Sequence, residues 1–107
     1  MTPGSHFRID GNTLTVSGEL CYEDEKTLEK ALHQLSRAGV APLVVDLSDV
    51  RFMASSCIRY VVEAAIDAKK AGRDTRVVAG GQVLRLIHTV QLDRFAEIQT
   101  SRDPRLP

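Results

Sequence analysis

Two adjacent serines, Ser55 and Ser56, stand where an apolar run gives way to a helical pattern. A hydroxyl at a helix start can cap free backbone N–H groups, and the same N–H groups favour an anion placed beside them. Ser55 is therefore a candidate for charge chemistry or an N-cap, and Ser56 a cap or an inward-facing hydroxyl. Cys57 follows directly. An exposed thiol at a helix N-terminus has a lowered pKa, which opens a redox role with Cys21, whereas a buried one simply fills space. Asp46 and Ser48 are spaced to hydrogen-bond locally, either supporting the loop that leads to the serines or capping a turn. Gly80-Gly81 lacks the G-x-x-x-x-G-K-[ST] context of a phosphate cradle and reads as a strand-to-helix turn. No Ser-His-Asp spacing, paired carboxylate site or metal-ligand cluster is visible, since His6, His33 and His88 are scattered; catalysis, a metal and a cofactor are not expected.

These groups need elements to hold them. Leu43-Val44-Val45-Asp46 has the β-branched composition of a strand buried on both faces. Val61, Val62, Ala65 and Ile66 follow Ile58 at helical steps, and Gly72 closes that helix after Lys69 and Lys70. Of Phe52 and Met53, just ahead of the serines, one packs inward and the other is an exposed interface anchor.

Upstream, Phe7 to Ile9 and the alternating Thr13 to Ser17 form a hairpin around Asp10-Gly11-Asn12, and Gly18-Glu19-Leu20 leaves the second strand. Gly4-Ser5-His6 looks like an expression-tag remnant, although its origin is not decided by the sequence. A helix begins at Glu23-Asp24-Glu25, where acidic residues suit the positive dipole end, presents Leu28, Ala31, Leu32 and Leu35, and stops at Gly39. Downstream, Arg76 to Ala79 is a strand, Val83, Leu84, Leu86, Ile87 and Val90 outline a third helix, and Phe95 to Ile98 is an edge strand. The tail from Gln99 to Pro107 is expected to fray.

From the second strand of the hairpin onward the order is β-α-β-α-β-α-β. It implies an α/β fold with a mixed, mostly parallel sheet of about five strands, and three main helices on one face leave the other partly open. Residues 1–107 read as one domain with a core over about 7–98. In such a sheet ligands and partners meet the edge at the strand C-termini. That edge carries Gly18 to Tyr22, Phe52 to Cys57 and Gly80 to Gln82, so the interface candidates are Cys21, Phe52, Met53, Ala54, Cys57, Gly80 and Gly81.

Composition narrows the class further. The 14 basic and 14 acidic residues cancel, and aromatic residues make up 5%, which argues against a general nucleic-acid binder. No apolar run reaches the ~20 residues of a membrane span, and Met1 to Asp10 has no signal-peptide h-region. Two cysteines without a C-x-x-C pair suit reduced thiols in a cytoplasmic protein.

Val45-Asp46-Leu47-Ser48-Asp49-Val50, the Ser55-Ser56 helix start, Gly18-Glu19-Leu20 and Leu92-Asp93-Arg94-Phe95 together resemble a STAS domain, a family that includes the anti-sigma-factor antagonists. The resemblance covers roughly residues 7 to 98. It implies a binding module rather than an enzyme. In the antagonist branch an anti-sigma factor that is also a serine kinase binds the domain and phosphorylates a serine at this helix start, and a phosphatase reverses the mark. By position Ser55 is the phosphoacceptor, with Ser56 the lesser candidate. Where the familiar motif reads Asp-Ser-Ser/Thr-Gly, this chain has Ala54-Ser55-Ser56-Cys57. Cys21 stands where the family often has an acid, and Gln91 where it usually has glycine. The alternative implied by those departures is a constitutive scaffold, such as the STAS subunit of a lipid-transport ATPase or a stressosome-like assembly. Oligomeric state is not legible.

Overall fold

The computed structural model describes residues 4–38 and 41–100. Its elements are β1 (Ser5–Asp10), β2 (Thr13–Leu20), a 3-10 turn (Tyr22–Asp24), α1 (Glu25–Arg37), β3 (Leu43–Met53) and α2 (Ser55–Lys70), then β4 (Thr75–Ala79), α3 (Gly81–Val90), a second 3-10 turn (Leu92–Arg94) and β5 (Glu97–Thr100). One five-stranded sheet runs in the order β1-β2-β3-β4-β5. The β1–β2 pair is antiparallel and every other pair is parallel. This is the α/β architecture that the order of strand and helix patterns implies.

Alternation along the strands explains why one face is dry. Leu14, Val16, Val45, Val77 and Ala79 are buried, and they share a single core with Leu28, Leu32 and Leu35 of α1, Ile58, Val61 and Ala65 of α2, and Val83 and Ile87 of α3. Burying a side chain of this size stabilises by about 1.5–3 kcal/mol before entropy is counted. The intervening residues Thr13, Thr15, Val44, Asp46, Arg76 and Val78 are only half-buried, so the second face stays partly open.

Strand β3 runs much further than its apolar opening predicts. Its buried residues step by two through Leu43, Val45 and Leu47, then by three through Val50 and Met53. Two register shifts against β2 account for the change. Thr15 to Ser17 opposes Asp46 to Asp49, and Gly18 to Glu19 opposes Val50 to Phe52, so β3 carries one extra residue at each place. Each bulge restores the inward facing of the next apolar residue, and a period-two template therefore misses the second half of the strand.

Other boundaries also differ from the sequence reading. β2 continues through Gly18-Glu19-Leu20, with Gly18 at φ +96, where a Cβ would collide with the Gly4 carbonyl. Ser5 and His6 belong to β1, paired with Gly18 and Ser17, so Gly4-Ser5-His6 is an integral part of the sheet edge. The acidic Glu23-Asp24 pair forms a 3-10 turn, and α1 proper begins at Glu25. β5 lies two residues later than expected, because Phe95 and Ala96 close the 3-10 turn through hydrogen bonds to Leu92, and Gln99 and Thr100 are strand rather than tail. The expected helix stop at Gly39 and the fraying of 101–107 fall outside the described residues. Among the described residues no helix is long and apolar enough to cross a membrane.

Candidate functional site

The ends of β2, β3 and β4 meet at one edge of the sheet, and main-chain and side-chain hydrogen bonds tie them together. The Ala54 N–H donates to the Leu20 carbonyl at 2.8 Å, which joins the start of α2 to the end of β2. The Gln82 side chain bridges β3 from the first turn of α3. Its Oε1 accepts from the Met53 N–H at 3.0 Å and its Nε2 donates to the Met53 carbonyl at 3.1 Å. Both polar groups at the end of a buried strand are thereby satisfied, which avoids a cost of about 1–3 kcal/mol for each one left unpaired. Gln82 lies in the expected edge segment, but its bridging role was not read from the sequence. A polar amide following Gly80-Gly81 at the head of an otherwise apolar helical stripe was the available signal.

Ala54 occupies the N-cap of α2, and no side-chain hydrogen bond caps that helix. Ser55 is consequently the first residue inside the helix rather than its cap, and it is exposed; Ser56 is half-buried behind it. The first turn holds no acidic side chain. Backbone N–H groups and the positive dipole end are thus left beside an exposed hydroxyl, a setting that favours added negative charge.

The residues around Ser55 divide into two sets. Phe52 is 45% exposed, while its neighbour Met53 is fully buried. Met53 is part of the core and presents nothing to a partner, which removes it from the interface candidates. Cys57 is also buried, because the third helical position of α2 points back against β2. Its Sγ donates to the Cys21 carbonyl at 3.2 Å. Burial, followed by the nearby Glu25 and Asp24 carboxylates, pushes its thiol up to about 11. That reverses the lowered pKa expected for an exposed thiol at a helix start: Cys57 is protonated and packed, not a partner contact. Ala54 and Cys21 are half-buried, Gly80 half-buried and Gly81 exposed. Gly80 caps α3 in extended backbone, and Gly81 sits at φ +57, a conformation that suits glycine.

Asp46 and Ser48 lie elsewhere. The Asp46 Oδ1 accepts from the Ser48 N–H at 3.0 Å and the Ser48 Oγ–H at 2.6 Å, so the pair closes the first bulge of β3 midway along the strand. They support the register that delivers Ser55 but do not touch its loop.

Tyr22, 71% exposed, joins Phe52 on this edge; these two are the exposed large hydrophobic side chains among the described residues. Tyr22 was not a sequence candidate; its place between Cys21 and three acidic residues was the available signal. Beneath it, the Asp24 carboxylate accepts from the Cys21 N–H at 2.8 Å and the Ser5 Oγ–H at 3.0 Å. The Tyr60 hydroxyl donates to Glu25 Oε1 at 3.0 Å, linking α2 to the start of α1 and raising the Tyr60 pKa. A cavity of about 690 Å³ lies toward the opposite edge, lined by Lys69, Asp74, Arg76, Asp93, Arg94 and Glu97 among others, and it includes none of the residues around Ser55.

The family model described as "Mlab, STAS domain" matches residues 5–100. The fold matches a crystal structure of an anti-sigma factor antagonist from Mycobacterium paratuberculosis at TM-score 0.76 and 25% identity, over 90% of this chain and 84% of that one. A candidate anti-sigma factor antagonist from Thermotoga maritima matches at 0.71 and 20% identity, over 91% and 86% of the two chains. The anti-sigma factor antagonist SpoIIAA in its unphosphorylated form matches at 0.64 and 12% identity, over 94% and 89%. The last two likenesses concern the fold.

Proposed function

The chain belongs to the STAS domain family, and from that premise we propose that it is a cytoplasmic regulatory module of the anti-sigma-factor-antagonist kind, which binds a switch kinase or anti-sigma factor through the Ser55 edge. Binding sequesters that partner and frees its target. Phosphorylation of Ser55 is the release signal, and a phosphatase restores the binding form. The module works by recognition rather than catalysis.

The observation that carries this reading is the exposed Ser55 at the uncapped start of α2, on an edge that also exposes Phe52 and Tyr22. Aromatic side chains at a surface are the usual anchors of protein recognition. A phosphoryl group adds roughly −1.5 to −2 charge beside them. An interface packed around a neutral hydroxyl would have to desolvate that charge, and like-charge or unpaired contacts of this sort cost several kcal/mol. The mark itself is tolerated by the free module, because the helix start favours an anion.

The test is a binding titration against the cognate kinase or anti-sigma factor. Ser55→Ala should bind as the unmodified protein does and be insensitive to ATP, while Ser55→Glu should bind at least ten-fold more weakly. Equal binding by both variants would remove Ser55 as the switch.

Ala54 and Cys57 favour a second reading. Neither residue supplies the carboxylate or the bare backbone of the Asp-Ser-Ser/Thr-Gly motif, and Cys57 fills core volume. A constitutive scaffold subunit, in a lipid-transport ATPase or a stressosome-like assembly, would use the same edge permanently. Its binding would still need Phe52 and Tyr22 but would ignore ATP.

A further inference from the structure

We propose that Cys21 and Cys57 form an oxidation-dependent modification site, closing an intramolecular disulfide that staples the exit of β2 to the first turn of α2. They are the two cysteines of the chain, 36 residues apart, and both are free thiols. The fold brings them together at the head of the helix that carries Ser55.

The Cys57 sulfur lies 3.2 Å from the Cys21 carbonyl oxygen. Standard peptide bond lengths then place the Cys21 Cα within about 6 Å of that sulfur. A disulfide needs its two Cα atoms roughly 4.4–6.8 Å apart, so closure requires the Cys21 side chain to rotate toward the Cys57 sulfur and the two Cα atoms to settle within that range. The backbones on either side are already fastened, since Ala54 N–H donates to the Leu20 carbonyl and Asp24 accepts from the Cys21 N–H.

Exposure sets the order of events. Cys57 is wholly enclosed, whereas Cys21 is half-buried and open to a small oxidant. With a hydroperoxide, the Cys21 thiolate attacks the O–O bond to give a sulfenic acid, releasing water or the corresponding alcohol. The Cys57 sulfur then forms the S–S bond and displaces water from Cys21, its own proton leaving in that step. Two S–H bonds are exchanged for one S–S bond, and the peroxide takes up the two electrons. The raised Cys57 pKa slows the second step and also makes Cys57 a poor leaving group when a reductant attacks Cys21. The bridge forms slowly and persists.

The experiment treats dilute, reduced protein with hydrogen peroxide and follows it by intact mass, non-reducing peptide mapping and thermal unfolding. The expected product is a monomer lighter by about 2 Da (two hydrogens lost), containing a Cys21–Cys57 linked peptide. Its Tm should rise by roughly 5–15 °C and return on reduction. Cys21→Ser, changed at the half-buried position and so expected to fold, should show neither the link nor the Tm shift. Two titratable thiols after oxidation, disulfides only between molecules, or a bridge that lowers Tm would each overturn the proposal.

Discussion

Two helices begin on the same edge of the sheet, and their entrances carry opposite endowments of charge. Ahead of α1, the Asp24 carboxylate accepts from Cys21 and Ser5, and Glu23, Asp24 and Glu25 concentrate negative charge at the turn. Ahead of α2, Ala54 offers no side-chain cap, the first turn has no acid, and Ser55 is exposed. Neither N-cap side chain bonds a helix N–H, but the α1 entrance carries acidic residues and the α2 entrance carries none. A fold that needed α2 only for packing would gain from an Asp or Ser in place of Ala54, because such an N-cap contributes about 0.5–2 kcal/mol. The bare entrance is where a reversible negative charge has most to change.

The contrast can be broken from its core outward. Met53→Ala and Phe52→Ala alter neighbours on the same strand, one buried and one exposed. The first should lower stability by about 2–5 kcal/mol in chemical denaturation. The second should stay within about 0.5 kcal/mol of the parent yet weaken partner binding. A stable Met53→Ala protein would remove β3's second half from the core. Asp24→Ala should cost about 1.5–3 kcal/mol, because it deletes a carboxylate holding two hydrogen bonds. Ala54→Asp should do the reverse at α2, raising stability by about 0.5–2 kcal/mol while making the helix start less receptive to a second negative charge. If it gave no gain, the α2 entrance would already be satisfied. The last test concerns pH. The Cys57 thiol rises from 9.0 in a free chain to about 11 in the fold. The folded protein therefore keeps a proton that the unfolded chain releases, and stability is full below pH 9 and declines as pH climbs toward 11. Unfolding midpoints across that range should fall more steeply for the parent than for Cys57→Ala.

Much of this arrangement was legible in the amino-acid order. The helical stripes of Leu28, Leu32 and Leu35, and of Ile58, Val61 and Ala65, follow from amphipathic spacing alone, and these residues are buried together. The convergence of Gly18–Tyr22, Phe52–Cys57 and Gly80–Gln82 followed from parallel topology. What stayed hidden depended on pairing between distant segments. The bulges of β3 convert a period of two into a period of three, and only the register against β2 shows that Leu47, Val50 and Met53 face one way. Ser5 and His6 have no strand signature of their own and become strand because Gly18 and Ser17 lie opposite. The enclosed thiol of Cys57 faces the Cys21 carbonyl, 36 residues away in sequence, and owes its raised pKa first to burial by segments distant in the chain. Local pattern marks which residues want burial; the partner segment decides how they obtain it.

The state of Ser55 in the cell separates a switch from a scaffold most directly. Protein recovered from native extract would be separated into partner-bound and free fractions, with mass spectrometry of the Phe52 to Arg59 region and of the co-purifying proteins. A Ser55 switch predicts an ATP-binding kinase with the unmodified fraction and phosphate on Ser55 in the free fraction. An unmodified Ser55 in both fractions under every growth condition, together with a transporter or stressosome subunit as the bound partner, would contradict it and leave this edge as a permanent packing surface.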